Sequence, residues 1–218
     1  MKAIIFDLDG TLIDSAPDIH LACTQVLSAR GIKPVTPAQS RGFVGHGARV
    51  FVQRMMAARD LPAALFEPLL HEFLAQYETS VHLTELYPDV RLALNRLKAE
   101  GWTLGLCTNK PLRPTQAILT HLDLAKDFKA IITGDSLPQR KPDPAPLLAS
   151  LRAVGAATAL FVGDSEVDAE TAQNAALPFA LFTEGYRHNP VTALAHSFSF
   201  SDFRNLPDLA ADWCSSTT

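Results

Sequence analysis

Five short stretches of the chain are apolar almost without interruption. They are Ala3-Ile4-Ile5-Phe6, Thr103-Leu104-Gly105-Leu106-Cys107, Ala130-Ile131-Ile132, Ala159-Leu160-Phe161-Val162 and Pro178-Phe179-Ala180-Leu181-Phe182. Each is too short for a helix and long enough for a strand. Continuous rather than alternating apolar strands predict a parallel sheet covered on both faces. Between them the period lengthens. Val90, Leu92, Ala93, Leu94 and Leu97 make a helical stripe that Gly101 closes. Helices are likewise predicted over 115–122, 144–154, which opens on Pro144, and 166–176. Strands alternating with helices predict βαβ units, hence an α/β fold with a Rossmann-like parallel-sheet core.

Residues 15–82 break that rhythm. They hold no strand-like run and predict helices near 17–30, 47–58 and 63–79, separated by 31–37 and 60–62. Six basic residues face five acidic ones there, a balance of +1, against −5 for the rest of the chain. The predicted organisation is an α/β core domain from residues 1–14 and 83–218 with an α-helical domain, 15–82, inserted into it. Phe198, Phe200 and Phe203 read as core, because no basic residue interleaves them as on a base-stacking platform. Residues 214–218 read as a frayed end.

Composition narrows the partners. An apolar fraction of 47% and a mean hydropathy of +0.08 supply a real core. With 19 Lys and Arg against 23 Asp and Glu, a formal charge of −4 and no basic run, nucleic acid is not an expected partner. Cys23, Cys107 and Cys214 are far apart and form no CxxC, which predicts reduced thiols in a cytoplasmic protein rather than a disulfide framework or a zinc site. The opening apolar run meets Asp7 too soon for a signal-peptide core, and no run approaches the roughly 18 residues of a membrane span.

The predicted strands end in polar residues. Asp7 and Asp9 follow the first, Thr108-Asn109-Lys110 the second, and Gly163-Asp164 the fourth. Sites in open α/β sheets form at the carboxyl ends of strands, so parallel strands bring Asp7, Asp9, Thr108 and Asp164 to one edge. Any one of these could merely cap the following helix. Several carboxylates at one edge repel unless a cation joins them. Oxygen ligands from Asp7, Asp164 and, as an alternative, Asp168 suit Mg²⁺ rather than zinc. Lys141, in Arg140-Lys141-Pro142-Asp143-Pro144, brings a positive charge just before a predicted helix.

Asp7-Leu8-Asp9-Gly10-Thr11 resembles the DxDGT motif of the haloacid dehalogenase superfamily. Thr108-Asn109 is similar to that family's second motif, Lys141 to its third, and Gly163-Asp164-Ser165-Glu166-Val167-Asp168 to its fourth, all in the family's order. The helical insert has the position of the family's C1-type cap. The resemblance implies a Mg²⁺-dependent phosphatase in which Asp7 is the nucleophile, forming an aspartyl-phosphate. Asp9 would be the general acid and then the base, with its main-chain carbonyl joining Asp7 and Asp164 as metal ligands. It also implies that Thr108 and Lys141 contact the transferring phosphoryl group, with Lys141 holding Asp7 ionised. The residue types suit those roles: a carboxylate can accept a phosphoryl group, a second carboxylate can shuttle the proton, and a hydroxyl and an ammonium can stabilise phosphoryl oxygens.

Gly45-His46-Gly47, with Arg49 just beyond, is similar to a glycine-bearing segment of the phosphoglycolate phosphatase branch. That likeness implies a loop reaching over the site, with Arg49 meeting a substrate anion. The expected substrate-binding set is therefore Thr108, Asn109, Lys110, Lys141, Gly45, His46, Gly47 and Arg49, and the expected partner a small phosphorylated metabolite such as 2-phosphoglycolate. His20 reads as a surface or packing residue, Tyr186 and Arg187 as structural loop residues. A sugar-phosphate phosphatase or phosphomutase of the same superfamily, and a regulatory binding module without turnover, remain alternatives. Asp9 argues against a dehalogenase. Monomer and homodimer are equally compatible with the sequence.

Overall fold

The computed structural model describes residues 2–216. Six parallel strands form the main sheet: β1 (Ala3–Phe6), β4 (Thr103–Cys107), β5 (Ala130–Ile132), β6 (Leu160–Gly163), β7 (Phe179–Phe182) and β8 (Phe198–Phe200), in the spatial order β5-β4-β1-β6-β7-β8. Two-residue strands β2 (Ile13–Asp14) and β3 (Glu85–Leu86) pair antiparallel. The parallel α/β fold matches the expectation. The first crossovers run outward from β1 through β4 to β5, and the later ones run the other way through β6. The order therefore reverses beside β1, and a crevice opens there at the carboxyl ends.

Alternation within β1 explains how both faces are covered. Ile4 and Phe6 pack into one cluster with Leu94 and Leu97 of α5 (Val90–Ala99), together with Phe203, Leu206 and Ala210. Ala3 and Ile5 face the other way, against Leu147, Leu151 and Val154 of α7 (Ala145–Val154) and Ala169 and Ala172 of α8 (Glu166–Asn174). Burying side chains of this size contributes about 1.5–3 kcal/mol each. Leu92 leaves the predicted stripe and is 57% exposed.

Between β2 and β3 the chain is helical: α1 (Ala16–Ala29), α2 (Pro37–Arg41), α3 (Ala48–Ala57) and α4 (Phe66–Tyr77). These helices enclose a hydrophobic cluster of their own, in which Phe51 and Phe73 stack at 4.8 Å among Ile19, Met55 and Leu69. At the two crossings, buried Asp18 accepts hydrogen bonds from the Leu83 N–H at 3.0 Å and the Thr84 hydroxyl at 2.7 Å, tying the incoming strand of chain to the outgoing one.

Three elements differ from the sequence reading. Residues 37–41, read partly as a separator, form α2, because Thr36 and Gln39 make a reciprocal capping box and Pro37 takes the first turn. Residues 112–114 belong to α6 (Leu112–His121), which starts earlier than the apolar stripe alone indicates. The end expected to fray is helical through Ser216 in α9 (Leu206–Ser216), while Thr217 and Thr218 lie outside the described residues.

Candidate active site

The chain leaves β1 in a tight loop. Asp7 still belongs to the sheet edge, its N–H donating to the Val162 carbonyl at 2.8 Å. The Leu8 carbonyl then accepts from the N–H groups of Thr11, Leu12 and Ile13, a single helical turn that throws Asp7 and Asp9 toward the crevice. Gly10 makes the turn possible. Its φ is +85°, and a Cβ there would lie 2.5 Å from Asp164 Oδ2.

Asp7, Asp164 and Asp168 are all buried, with one oxygen of each within 4.8 Å of the others. Asp168 is fully occupied. One oxygen meets Lys141 Nζ at 2.6 Å; the other accepts from the Ser165 hydroxyl at 2.7 Å and N–H at 3.1 Å, closing the cap of α8. Lys141 Nζ also lies 2.8 Å from Asp7 Oδ1. That oxygen is buried, with the Lys141 ammonium as its ion-pair partner. Asp164 accepts from the Thr11 hydroxyl at 2.8 Å and from the Tyr186 N–H at 2.6 Å.

The electrostatics follow from burial. Desolvation pushes the Asp7 carboxyl up to about 7, Lys141 pulls it back, and Asp168 and Asp9 push it further up. Lys141 thus acts in the direction the resemblance implies, favouring ionised Asp7, while burial opposes it and Asp168 shares the ammonium. Asp164 is raised well above its ordinary value by burial and by its neighbours Asp168 and Asp7. Burial alone would lower Lys141, but Asp168 and Asp7 hold it above the usual lysine range. The cluster thus carries more carboxylate than cation. An oxygen-only donor set from buried carboxylates this close together fits a hard divalent ion.

Asp9 is placed differently from Asp7. Its Oδ1 accepts from the Ser15 hydroxyl at 2.5 Å and from Lys110 Nζ at 2.9 Å. Lys110 is buried rather than solvated, and its ammonium also bonds the Tyr77 hydroxyl from α4. Thr108 sits at the end of β4, its hydroxyl accepting from the Lys110 N–H at 3.2 Å. Asn109 commits its side chain to the backbone. Its amide donates to the Gly45 carbonyl at 3.0 Å and the Lys141 carbonyl at 2.9 Å, and its oxygen accepts from the Lys141 N–H at 3.0 Å. It ties three segments together rather than presenting a free group.

Above these residues lies a cavity of ≈ 40 Å³, floored by Asp7, Asp9 and Thr108 and roofed by Phe51, Phe73 and Tyr77 of the helical segment. Gly45 and Gly47 line it, as the sequence reading expects. A Cβ on Gly47 would press to 3.2 Å from the Asn109 carbonyl oxygen, and its φ is +83°. His46 and Arg49 do not line it. His46 turns toward Arg54, 3.5 Å away, and its partial burial and that cation lower its pKa. Arg49 points outward, pairing with Glu67 at 2.8 Å and lying over the Phe66 ring, with about half its side chain exposed. The expectation that Arg49 meets a substrate anion is not supported. In α3 the buried positions are Phe51, Val52, Met55 and Met56, and Arg49 lies at the edge of that face, where Glu67 and Phe66 take its side chain.

Two tyrosines were not recognised from the sequence as part of the site. Tyr77 ends an apolar helical stripe and reads as core. Tyr186 reads as a loop residue, yet its hydroxyl accepts from the N–H groups of Ser15 and Ala16 at 2.8 and 3.0 Å and donates to Asp14. Only the pairing of distant segments reveals either role.

The family model of haloacid dehalogenase-like hydrolases matches residues 4–182. A phosphoglycolate phosphatase of Cereibacter sphaeroides is 52% identical over 212 residues, spanning 96% of this chain and 97% of its own. One from Rhodobacter capsulatus is 46% identical over 97% of each chain. Among solved structures, a predicted phosphoglycolate phosphatase from Haemophilus somnus superposes with a TM-score of 0.90 at 32% identity, over 96% of this chain and 97% of that one. The matched segment runs from β1 through β7 and so contains every strand end that carries the carboxylate cluster. The chain is a member of the haloacid dehalogenase-like hydrolase family.

Proposed function

We propose that this protein is a Mg²⁺-dependent phosphatase that hydrolyses 2-phosphoglycolate to glycolate and phosphate, with residues 15–82 acting as a cap over an α/β core formed by 1–14 and 83–218. The observation that carries the reading is the Asp7 carboxylate. It is buried at the strand end, 2.8 Å from the Lys141 ammonium, and borders a small cavity beside Thr108. The relatives' names supply the substrate.

In this reading Asp7 attacks phosphorus and takes the phosphoryl group as an aspartyl-phosphate, while the alkoxide leaves with a proton from Asp9. Ser15 and Lys110 hold Asp9 beside the leaving oxygen. Asp9 then takes a proton from the water that attacks the acyl-phosphate, and phosphate departs. Lys141 and the Thr108 hydroxyl contact the phosphoryl oxygens, and Asp168 aims Lys141. Asp7, Asp164 and the Asp9 main-chain carbonyl would hold Mg²⁺, whose contribution is to offset repulsion between the attacking carboxylate and the phosphate dianion. Cys23 and Cys107 are buried thiols, which suits a cytoplasmic enzyme. Among the described residues no helix is long and apolar enough to cross a membrane.

Phosphate release from a panel of phosphomonoesters, with Mg²⁺ and after its removal with EDTA, tests the reading. The expected result is Mg²⁺-dependent release with the highest kcat/KM for 2-phosphoglycolate. Full turnover after exhaustive metal removal would overturn the metal assignment, and a preference for a sugar phosphate would overturn the substrate.

A further inference from the structure

A substrate that carries a carboxylate beside its phosphate brings a second anion into a small, largely apolar cavity. The phosphate has Lys141 and the proposed metal site. The carboxylate needs its own counter-charge, because an unpaired charge enclosed with Phe51 and Phe73 is costly. Cations of the helical segment do not reach it. Arg49 is held by Glu67, Arg41 by the Gly185 carbonyl at 3.0 Å, Arg54 by the Gly42 and Phe43 carbonyls, and Arg59 by the Lys33 and Pro34 carbonyls. Among the described residues that line the cavity, Lys110 is the one cation.

Lys110 is well placed for the task. Its side chain is 3% exposed, and its ammonium is directed by two groups, Asp9 Oδ1 at 2.9 Å and the Tyr77 hydroxyl, with the Tyr77 ring beneath it at 4.2 Å. An ammonium has three N–H donors, so one remains for a ligand. Lys110 lies beside Asp9, the group assigned to the leaving alkoxide, and therefore on the side of the phosphoryl group where the substrate's two-carbon arm must lie. The cavity lies directly against Lys110 and Asp9, so an arm leaving the phosphoryl group on that side meets the ammonium.

We propose that Lys110 is the specificity residue that reads the substrate's carboxylate, with Tyr77 as a positioning residue that steers the ammonium from the helical side. This rests on the phosphatase reading above and adds to it the residue that separates acidic from neutral small phosphomonoesters. It also moves that role from the segment expected by sequence, around Arg49, to the end of a core strand.

The test compares kcat/KM for 2-phosphoglycolate with that for ethyl phosphate, a neutral-armed ester of similar size, in the full chain with Mg²⁺. Lys110 also touches Asp9, so Lys110→Met lowers both absolute rates, and the ratio of the two is the informative quantity. In Lys110→Met the ratio is expected to fall roughly 10- to 100-fold, the range of one hydrogen bond to a charged group. Tyr77→Phe keeps the ring and removes the hydroxyl, and it should lower the ratio several-fold in the same direction. Equal losses for both esters in Lys110→Met, leaving the ratio intact, would overturn the proposal and leave Lys110 with Asp9 alone. A ratio unchanged in Tyr77→Phe would remove Tyr77 from it. A wild type that does not prefer 2-phosphoglycolate over ethyl phosphate refutes the substrate reading itself, a separate result.

Discussion

The floor and the roof of the cavity are built by opposite rules. On the floor, buried polar groups crowd together, and nearly every oxygen and ammonium is matched: Asp168 to Lys141, Asp164 to Thr11 and Tyr186, Asp9 to Ser15 and Lys110. The roof is Phe51, Phe73, Val44 and backbone, with a single hydroxyl from Tyr77. A floor of this kind fixes which reaction occurs, because each charge has a set place and a high cost of removal. The roof limits what fits beneath it and contributes little chemistry. The roof thus selects by shape, while charge, including the proposed reading of the substrate's carboxylate by Lys110, belongs to the floor, and substitutions on the two surfaces should behave differently.

Removing the proposed nucleophile should have the largest effect. Asp7→Asn is expected to lower phosphate release by roughly 10⁴-fold or more, because an amide cannot accept the phosphoryl group. Near-normal turnover in steady-state assays would remove Asp7 from its role. Asp9→Asn comes next, with a loss on the order of 10²- to 10⁴-fold. Because water activation fails as well, a phosphorylated protein should accumulate, visible by intact-mass spectrometry as one added phosphoryl group on Asp7.

A third experiment addresses the floor through stability. Asp7 is raised from 3.8 to about 7, so between those values the folded chain binds more protons than the unfolded one. Stability of the metal-free protein should therefore fall as pH rises through that window, and Asp164 acts in the same direction. Thermal unfolding in EDTA from pH 4.5 to pH 7.5 should show a declining Tm, and Asp7→Asn should flatten the decline. Mg²⁺ should raise Tm most at the upper end, where the carboxylates are charged. A Tm that rises steadily with pH in EDTA would contradict the burial-driven shift.

The smallest effect is expected on the outer side of the roof. Arg49→Ala breaks an exposed pair with Glu67, worth about 0–1 kcal/mol at most, and should leave kcat/KM for 2-phosphoglycolate within twofold of wild type. A tenfold loss would mean that Arg49 turns inward when substrate binds.

The floor was legible in the sequence because its parts are tied to strand ends. A continuous apolar run followed by Asp or Thr marks both a strand and its site, so Asp7, Asp9, Thr108 and Asp164 could be assigned to one edge before any coordinates. Lys141 was legible only through the family's motif order, since a lysine among prolines looks like any loop residue. The roof was not legible. Its helices were anticipated, but helical periodicity does not say which way residue 49 points relative to a cavity formed at the strand ends. Tyr77 and a core phenylalanine leave the same trace in a helical stripe. Likewise β8 and α9 carry weak patterns, Phe-Ser-Phe and a short amphipathic run, and sheet context decides them.

The strand order has a consequence for how the chain is made. Ala3 of β1 pairs with Thr103, and Ile4 with Leu160, so the central strand is synthesised well before either neighbour. At typical rates of translation the roughly 100 residues separating β1 from β4 take about 5–20 s to emerge. For that interval Ile4, Ile5 and Phe6 have no sheet to join, while α1 to α4 already possess all the partners of their own cluster. The helical segment can therefore fold on the nascent chain while β1 waits. An apolar strand left open for seconds is a target for holdase chaperones and for edge-to-edge association. Expression yield should therefore respond more strongly to a chaperone-depleted host, or to synonymous changes that slow translation between residues 83 and 103, than the stability of the finished protein would indicate.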